Sequence, residues 1–250
     1  MPEDFESDNE ELKSHLALFD GSLAVHDGSM TTTEHPTDVS LKAAVVDELK
    51  WIPSINSAHI GVSVEYGTVT LSGEVDSYPE NFVAEKTALR VHGVSGVAGE
   101  IRVRSHWGVL SDSDIEAEAS AALDRAIDVP SGSVHLVVED HVVILSGSVD
   151  WHFQSQAAER AVRYLKGVTG LRNTVTINPR VEAAGLKTTI TAALVRNAQL
   201  KGKGIAVTAD HSAVTLTGKV KTCAESHQAD MTAWSAPGVT SVTNNLIVAA

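Results

Sequence analysis

The side chains able to do chemistry in this sequence are a set of histidines, one cysteine and a group of lysines. Eleven histidines invite a metal reading. A metal needs ligands that converge, and no two histidines stand at i, i+4 on a predicted helix. His135 and His141 flank a predicted hairpin and His152 follows it. By strand alternation His135 points outward while His141 sits near the turn, so the two diverge. Scattered surface histidines are the expectation, with no metal and no cofactor. Cys223 is the only cysteine, with His227 four residues on. That spacing supplies no base-and-orienter set, so a thiol nucleophile is not expected. There is no P-loop, no Gly-x-Ser-x-Gly and no His-Glu-x-x-His. Lys201-Gly202-Lys203-Gly204 lacks phosphate-loop spacing and reads as a loop between helix and strand. The expectation is a protein that is not an enzyme.

Lysines carry the sharper signal. Lys201 and Lys203 precede one predicted strand, and Lys219 and Lys221 follow its antiparallel partner. The start of one strand lies beside the end of the next, so the four gather at the end of the sheet away from the turn. Such a cluster suits an anionic headgroup, each lysine contributing on the order of 1 kcal/mol near a charged bilayer. The competing readings are a solvated basic patch, or one that holds the acidic N-terminal stretch.

What positions these residues is a threefold internal repeat. When Gly73, Gly147 and Gly218 are aligned, Leu41, Ile115 and Leu186 each lie 32 positions before, and Gly93, Gly167 and Gly238 each lie 20 positions after, without a gap. Arrays of this kind build binding surfaces more often than a single catalytic pocket. Residues 1–37 are acidic, polar and expected to be mostly disordered. The modules are read as 38–104, 113–179 and 184–250, with short linkers between them.

Each copy reads helix, strand, strand, helix, strand. Leu41, Val45, Leu49 and Ile52 recur at helical spacing, as do Ile115, Ala119 and Leu123, and Leu186, Ile190 and Leu194. Ser111 to Asp114 resembles a capping box. Two alternating strands follow: Ile60, Val62, Val64 then Val69, Leu71, Val75, with matching runs in the other copies. The second helix begins near Ser77, with Pro79 in its first turn and Glu80 at capping distance. It is expected to end at Gly93, Gly167 or Gly238 in a left-handed cap. The fold class is α+β: three tandem two-layer αββαβ modules, each with two helices on one face of a small mixed three-stranded sheet.

These marks resemble the BON domain, the module named for bacterial osmotically induced and nodulation proteins. Gly73, Gly147 and Gly218 stand in Leu-Ser-Gly-x-Val or Leu-Thr-Gly-x-Val, and each copy repeats Gly-Val-x-x-Val/Leu from Gly93, Gly167 or Gly238. Asn173 and Asn244 fit an asparagine before the last strand, whereas Gly99 departs from it. The resemblance implies a non-catalytic binding module of osmotic or envelope stress that contacts phospholipid.

Charge sharpens that expectation. The net charge of −13 argues against bulk nucleic-acid binding. Residues 184–250 reverse the sign, with three acids and six bases. No apolar run reaches the length of a membrane span. The N-terminus does not read as a secretory signal, so a cytoplasmic location is expected, with a periplasmic one as the alternative. The expected partner is an anionic phospholipid surface.

The alternative is a protein partner, with oligomers possible. The outer sheet face of the second copy carries Val137, Val142 and Ile144 where the first copy is polar, and a sheet apolar on both faces normally has the second one covered. Trp151 and Phe153, just beyond, are expected to pack between modules, as is Trp107. Trp51 is expected to be half exposed at a helix end.

Overall fold

The computed structural model describes residues 37–104, 110–178, 185–198, 200 and 204–248. Trp107, Lys201 and Lys203 lie outside the described residues, as do most of the linkers and residues 1–36.

Among the described residues, six α-helices and ten strands make three modules of one plan. The first has helix α1 (Asp38–Trp51), strands β1 (Ile60–Glu65) and β2 (Thr68–Val75), helix α2 (Tyr78–Ala88) and strand β3 (Gly96–Val103). The second has α3 (Asp112–Arg125), β4 (Val134–Glu139), β5 (Val142–Val149), α4 (His152–Arg163) and a last strand in two pieces, β6 (Gly170–Asn173) and β7 (Thr176–Ile177). The third has α5 (Leu186–Arg196), β8 (Ala206–Asp210), β9 (Ala213–Val220), α6 (Cys223–Trp234) and β10 (Ser241–Val248). In every module the middle strand of the sheet is the second in sequence. It runs antiparallel to the first and parallel to the last. The α+β reading therefore stands.

The apolar periodicity explains the layers. Leu41, Val45 and Leu49 are buried on α1, Ile115, Ala119 and Leu123 on α3, and Leu186, Ile190 and Leu194 on α5. They meet Val69 and Leu71, Val143 and Leu145, and Val214 and Leu216 from the middle strands. The second helices approach closely because their sheet-facing side chains are small: Ala84 and Ala88, Ala158 and Val162, Ala229 and Ala233 are buried. The result is three separate cores and not one continuous interior.

Helix starts follow their capping chemistry. Thr37 Oγ1 accepts from the Ser40 N–H at 3.2 Å. Ser111 and Asp114 form the capping box, each side chain accepting from the other's backbone N–H. Asp38 also accepts from the N–H groups of Tyr66 and Gly67, both at 3.0 Å, tying α1 to the hairpin turn. Asp112 does the same for Asp140 and His141. The aligned position in the third copy is Ala183, which has no such acceptor. At the start of the second helices, Glu80 Oε2 accepts from the Asp76 N–H at 3.0 Å and Oε1 from the Asn56 N–H at 2.6 Å, so its reach is wider than a capping box. Gln154 and Glu225 occupy the same place and accept from Trp151 and Lys221 N–H groups.

Two readings of the glycines divide here. Gly73, Gly147 and Gly218 have φ of 119°, 121° and 133°. A Cβ on them would collide with the carbonyl oxygens of His59, Ser133 and Gly204. Gly93, Gly167 and Gly238 are also left-handed, at φ 92°, 87° and 90°. They do not cap the helices, however. The helices stop earlier, at Ala88, Arg163 and Trp234. Beyond α2, the N–H groups of Arg90 and Val91 bond to Thr87 and Ala88 three residues back, which tightens the chain out of α geometry before the glycine is reached. The glycine then turns the chain into the last strand.

The last strand is tied to the second helix by an amide. Asn173 Nδ2 donates to Ser155 Oγ at 2.9 Å and Asn244 Nδ2 to Ser226 Oγ at 3.0 Å. Asn244 lies within β10 and Asn173 closes β6, so these asparagines belong to the strands and do not precede them. In the first module the groups are exchanged: Asn81 is on the helix and Gly99 on the strand. A Cβ at Gly99 would strike the Glu85 carboxyl, which fills that space. Burial pushes the Glu85 carboxyl above its ordinary pKa, against a hydrogen bond from Asn81.

Replacing Gly147 by Ala forces a Cβ onto the Ser133 carbonyl at a positive φ. Such strain should cost more than about 2 kcal/mol. Urea denaturation of Gly147→Ala against wild type measures it, and an unchanged midpoint would show that this crossing is not a fixed point of the fold.

Candidate functional site

Lys219 lies near the end of the middle strand of the third module and Lys221 follows directly after it. Val220 between them is 2% exposed and belongs to the buried face. Alternation turns both lysines outward, and both are exposed. In the ladder Lys219 pairs with Ile247 of β10. Ile247 is 61% exposed, so a cation and a bare apolar side chain share one face. Neither lysine has an ion pair among the described residues. The backbone N–H of Lys221 donates to Glu225 Oε2 at 2.7 Å, which brings one negative charge near the patch. Gly204, next after the two lysines that fall outside the described residues, places its carbonyl against Gly218.

The outer sheet face of the second module differs in kind. Val137, Ile144 and Arg172 stand in one cross-strand row. The same row is Ser63, Thr70 and Ala98 in the first module, and Thr208, Thr215 and Thr243 in the third. Val137 is 49% exposed, while Val142 and Ile144 are half-buried among their sheet neighbours.

Between modules the contacts run through the second helices. His152 on α4 stacks on Trp234 of α6, with ring centroids 4.1 Å apart and planes 12° from parallel. Gln156 Nε2 donates to Met231 Sδ at 3.4 Å. Trp151, Phe153 and Ser235 complete the walls of a groove of about 300 Å³ at this seam. Trp151 lines this groove, and Phe153, 51% exposed, stands at its rim. Between the first and second modules, the Arg163 guanidinium lies 3.6 Å from the centre of the Phe82 ring and pairs with Glu159 at 3.0 Å. Arg163 is only 8% exposed. A charge buried so deeply is tolerated because it is paired and rests on an aromatic face. Tyr78 packs against the second module's core, and burial raises its pKa.

Of the residues weighed for chemistry, His141 and Cys223 are engaged in structural contacts. His141 is held at the hairpin turn by Leu110 O, 3.2 Å away, and by Asp112, 3.5 Å away. His135 is exposed on β4. Among the described residues no group of three or more His, Cys, Asp or Glu side chains is placed to hold a metal. Cys223 Sγ donates to Val94 O of the first module at 3.1 Å. Burial pushes this thiol above its usual pKa, away from thiolate character. Trp51, the last residue of its helix, is 80% exposed, more than half. The sequence reading missed Phe82, Arg163 and Trp234. The signal was present as large side chains on second-helix faces turned away from the alanine stripe.

Burial lowers the His152 pKa below its usual 6.5, opposed by Glu159. A folded state that prefers neutral histidine keeps its full contribution above about pH 6.5 and loses it as the pH falls below that value. His152→Phe retains a flat ring that cannot be protonated. Between about pH 7.5 and about pH 5, wild-type thermal stability should therefore fall relative to His152→Phe. Parallel pH profiles of the two would refute a neutral stack.

The BON domain family model matches residues 37–105, 111–179 and 183–250. Osmotically-inducible protein Y of Escherichia coli strain K12 is 36% identical over 138 residues, which cover 53% of this chain and 67% of that protein. Among solved structures, the C-terminal domain of CdsD, the structural protein of the type III secretion system of Chlamydia trachomatis, aligns over 86% of this chain and all of that one. The identity is 13% and the TM-score 0.24, too low to bear on the argument. With three matched segments covering nearly all of the described residues, this chain belongs to the BON domain family.

Proposed function

We propose that this is a non-catalytic binding protein of osmotic or envelope stress, and that it contacts anionic phospholipid surfaces through the third module. The observation that carries the reading is Lys219 beside the exposed Ile247 on one sheet face, at the end of the only module with excess positive charge. An anionic headgroup would meet the lysine ammonium groups, and Ile247 would enter the boundary below them. Lys201 and Lys203 belong to the same group by sequence. The relative's name, which refers to osmotic induction, fits this role. Linked modules would add avidity wherever a second one also touches the surface.

No helix among the described residues is long and apolar enough to cross a membrane, so any contact through them is peripheral. The second reading is a protein adaptor. The 49%-exposed Val137 in a row with Ile144 and Arg172 favours it.

Sedimentation with vesicles of phosphatidylglycerol and phosphatidylcholine separates the two. Binding should require the anionic lipid and weaken with salt. Changing Lys201, Lys203, Lys219 and Lys221 together to Ala should weaken it by up to roughly a thousandfold, at about 1 kcal/mol per lysine. Binding that survives the fourfold change would sink the lipid reading. A defined protein partner lost on Val137→Asp would support the adaptor.

A further inference from the structure

We infer that the three modules close head-to-tail into a ring, each second helix setting its N-terminal end against the next module and the third returning to the first. The copies are aligned on Gly73, Gly147 and Gly218. In that alignment Tyr78, His152 and Cys223 are one position, the first residue of each second helix. Leu89, Arg163 and Trp234 are another, at the opposite end.

Each first-position residue reaches the neighbour near its second position. Tyr78 packs on the second module, where Arg163 also takes the Phe82 ring. His152 stacks on Trp234 of the third. Cys223 donates to Val94 of the first, in the turn that follows Leu89. A second pair recurs one turn further along: Phe82 meets Arg163, and its counterpart Gln156 meets Met231.

Two such joints would leave an open row. The third runs in the same sense from the last module to the first, which is the condition for a heterologous contact to close. The chemistry differs at each joint (a cation on a ring, stacked rings, a thiol on a carbonyl), which favours each joint's own neighbour over the others. The modules meet through their second helices, away from the outer faces of the sheets.

The native thiol reports on the closing joint. Cys223 touches the first module through Val94, while Arg163 and His152 lie on the other two joints, so changes at those joints are expected to reach it through the closed arrangement. Alkylation of Cys223 in the full-length protein should be slower than in urea by at least about tenfold, the rate being set by opening of the joint. Arg163→Ala and His152→Ala, both in the second module, should each raise the native rate several-fold. Far-UV circular dichroism and slow amide exchange over 152–163 show that the second module is still folded. If Arg163→Ala unfolds it, His152→Ala, at a half-buried site, carries the test. A native rate equal to that in urea would overturn the closing contact. A protected thiol indifferent to the folded variants would overturn the ring. Neither readout involves lipid, so this result stands or falls apart from the vesicle experiment.

Discussion

In each module the chain entering the first strand lays a carbonyl oxygen against a glycine of the second. Only a residue without a Cβ, at a φ near 120°, leaves room for it. This close crossing sets the register of the hairpin. Ile60 faces Gly73 and Val134 faces Gly147. Since a slip of one residue would turn every side chain to the other face, the crossing decides which valines and leucines enter the core. The helices then have one layer on which to pack. That the same constraint appears three times is why three cores form and why none spans its neighbour.

Modules of this size bury a smaller fraction of their surface than larger domains do and are marginal alone. The seam residues therefore matter beyond their number. Arg163 shows the balance: a nearly buried cation whose desolvation is offset by Glu159 on its own helix and Phe82 on the next module. Removing the neighbour would leave that charge without its aromatic face. The module is thus electrostatically incomplete until it is docked, which makes the seam specific as well as attractive.

Much of the fold was legible in the sequence, because it rests on local chemistry. Alternating valines in 60–75 mark half-buried strands, Ser111 and Asp114 mark a helix start, and the aligned glycines mark the threefold repeat, though not the close crossing they permit. The position of helix ends was not. The sequence offers Gly93 as a cap, but the backbone at Arg90 and Val91 had already tightened, a choice made by packing rather than composition. The candidate site was half legible. Lys219 and Lys221 could be placed by strand alternation, whereas Ile247 beside Lys219 depends on parallel register, which a single sequence does not reveal. The seam was the least visible part. A stack such as His152 on Trp234 joins residues far apart in the chain with no periodicity to announce them.

The exchange of Asn81 and Gly99 for the usual serine and asparagine has one more consequence. The clasp between helix and last strand is an amide on a hydroxyl in the second and third modules, and neither group takes up a proton. In the first it includes the half-buried Glu85, whose raised pKa means that its folded environment favours the neutral acid. Acidification therefore relieves the first module of a buried charge while it imposes one on the His152 stack. The two effects run in opposite directions, so acid favours the packing around Glu85 in the first module and disfavours the stack that joins the second module to the third.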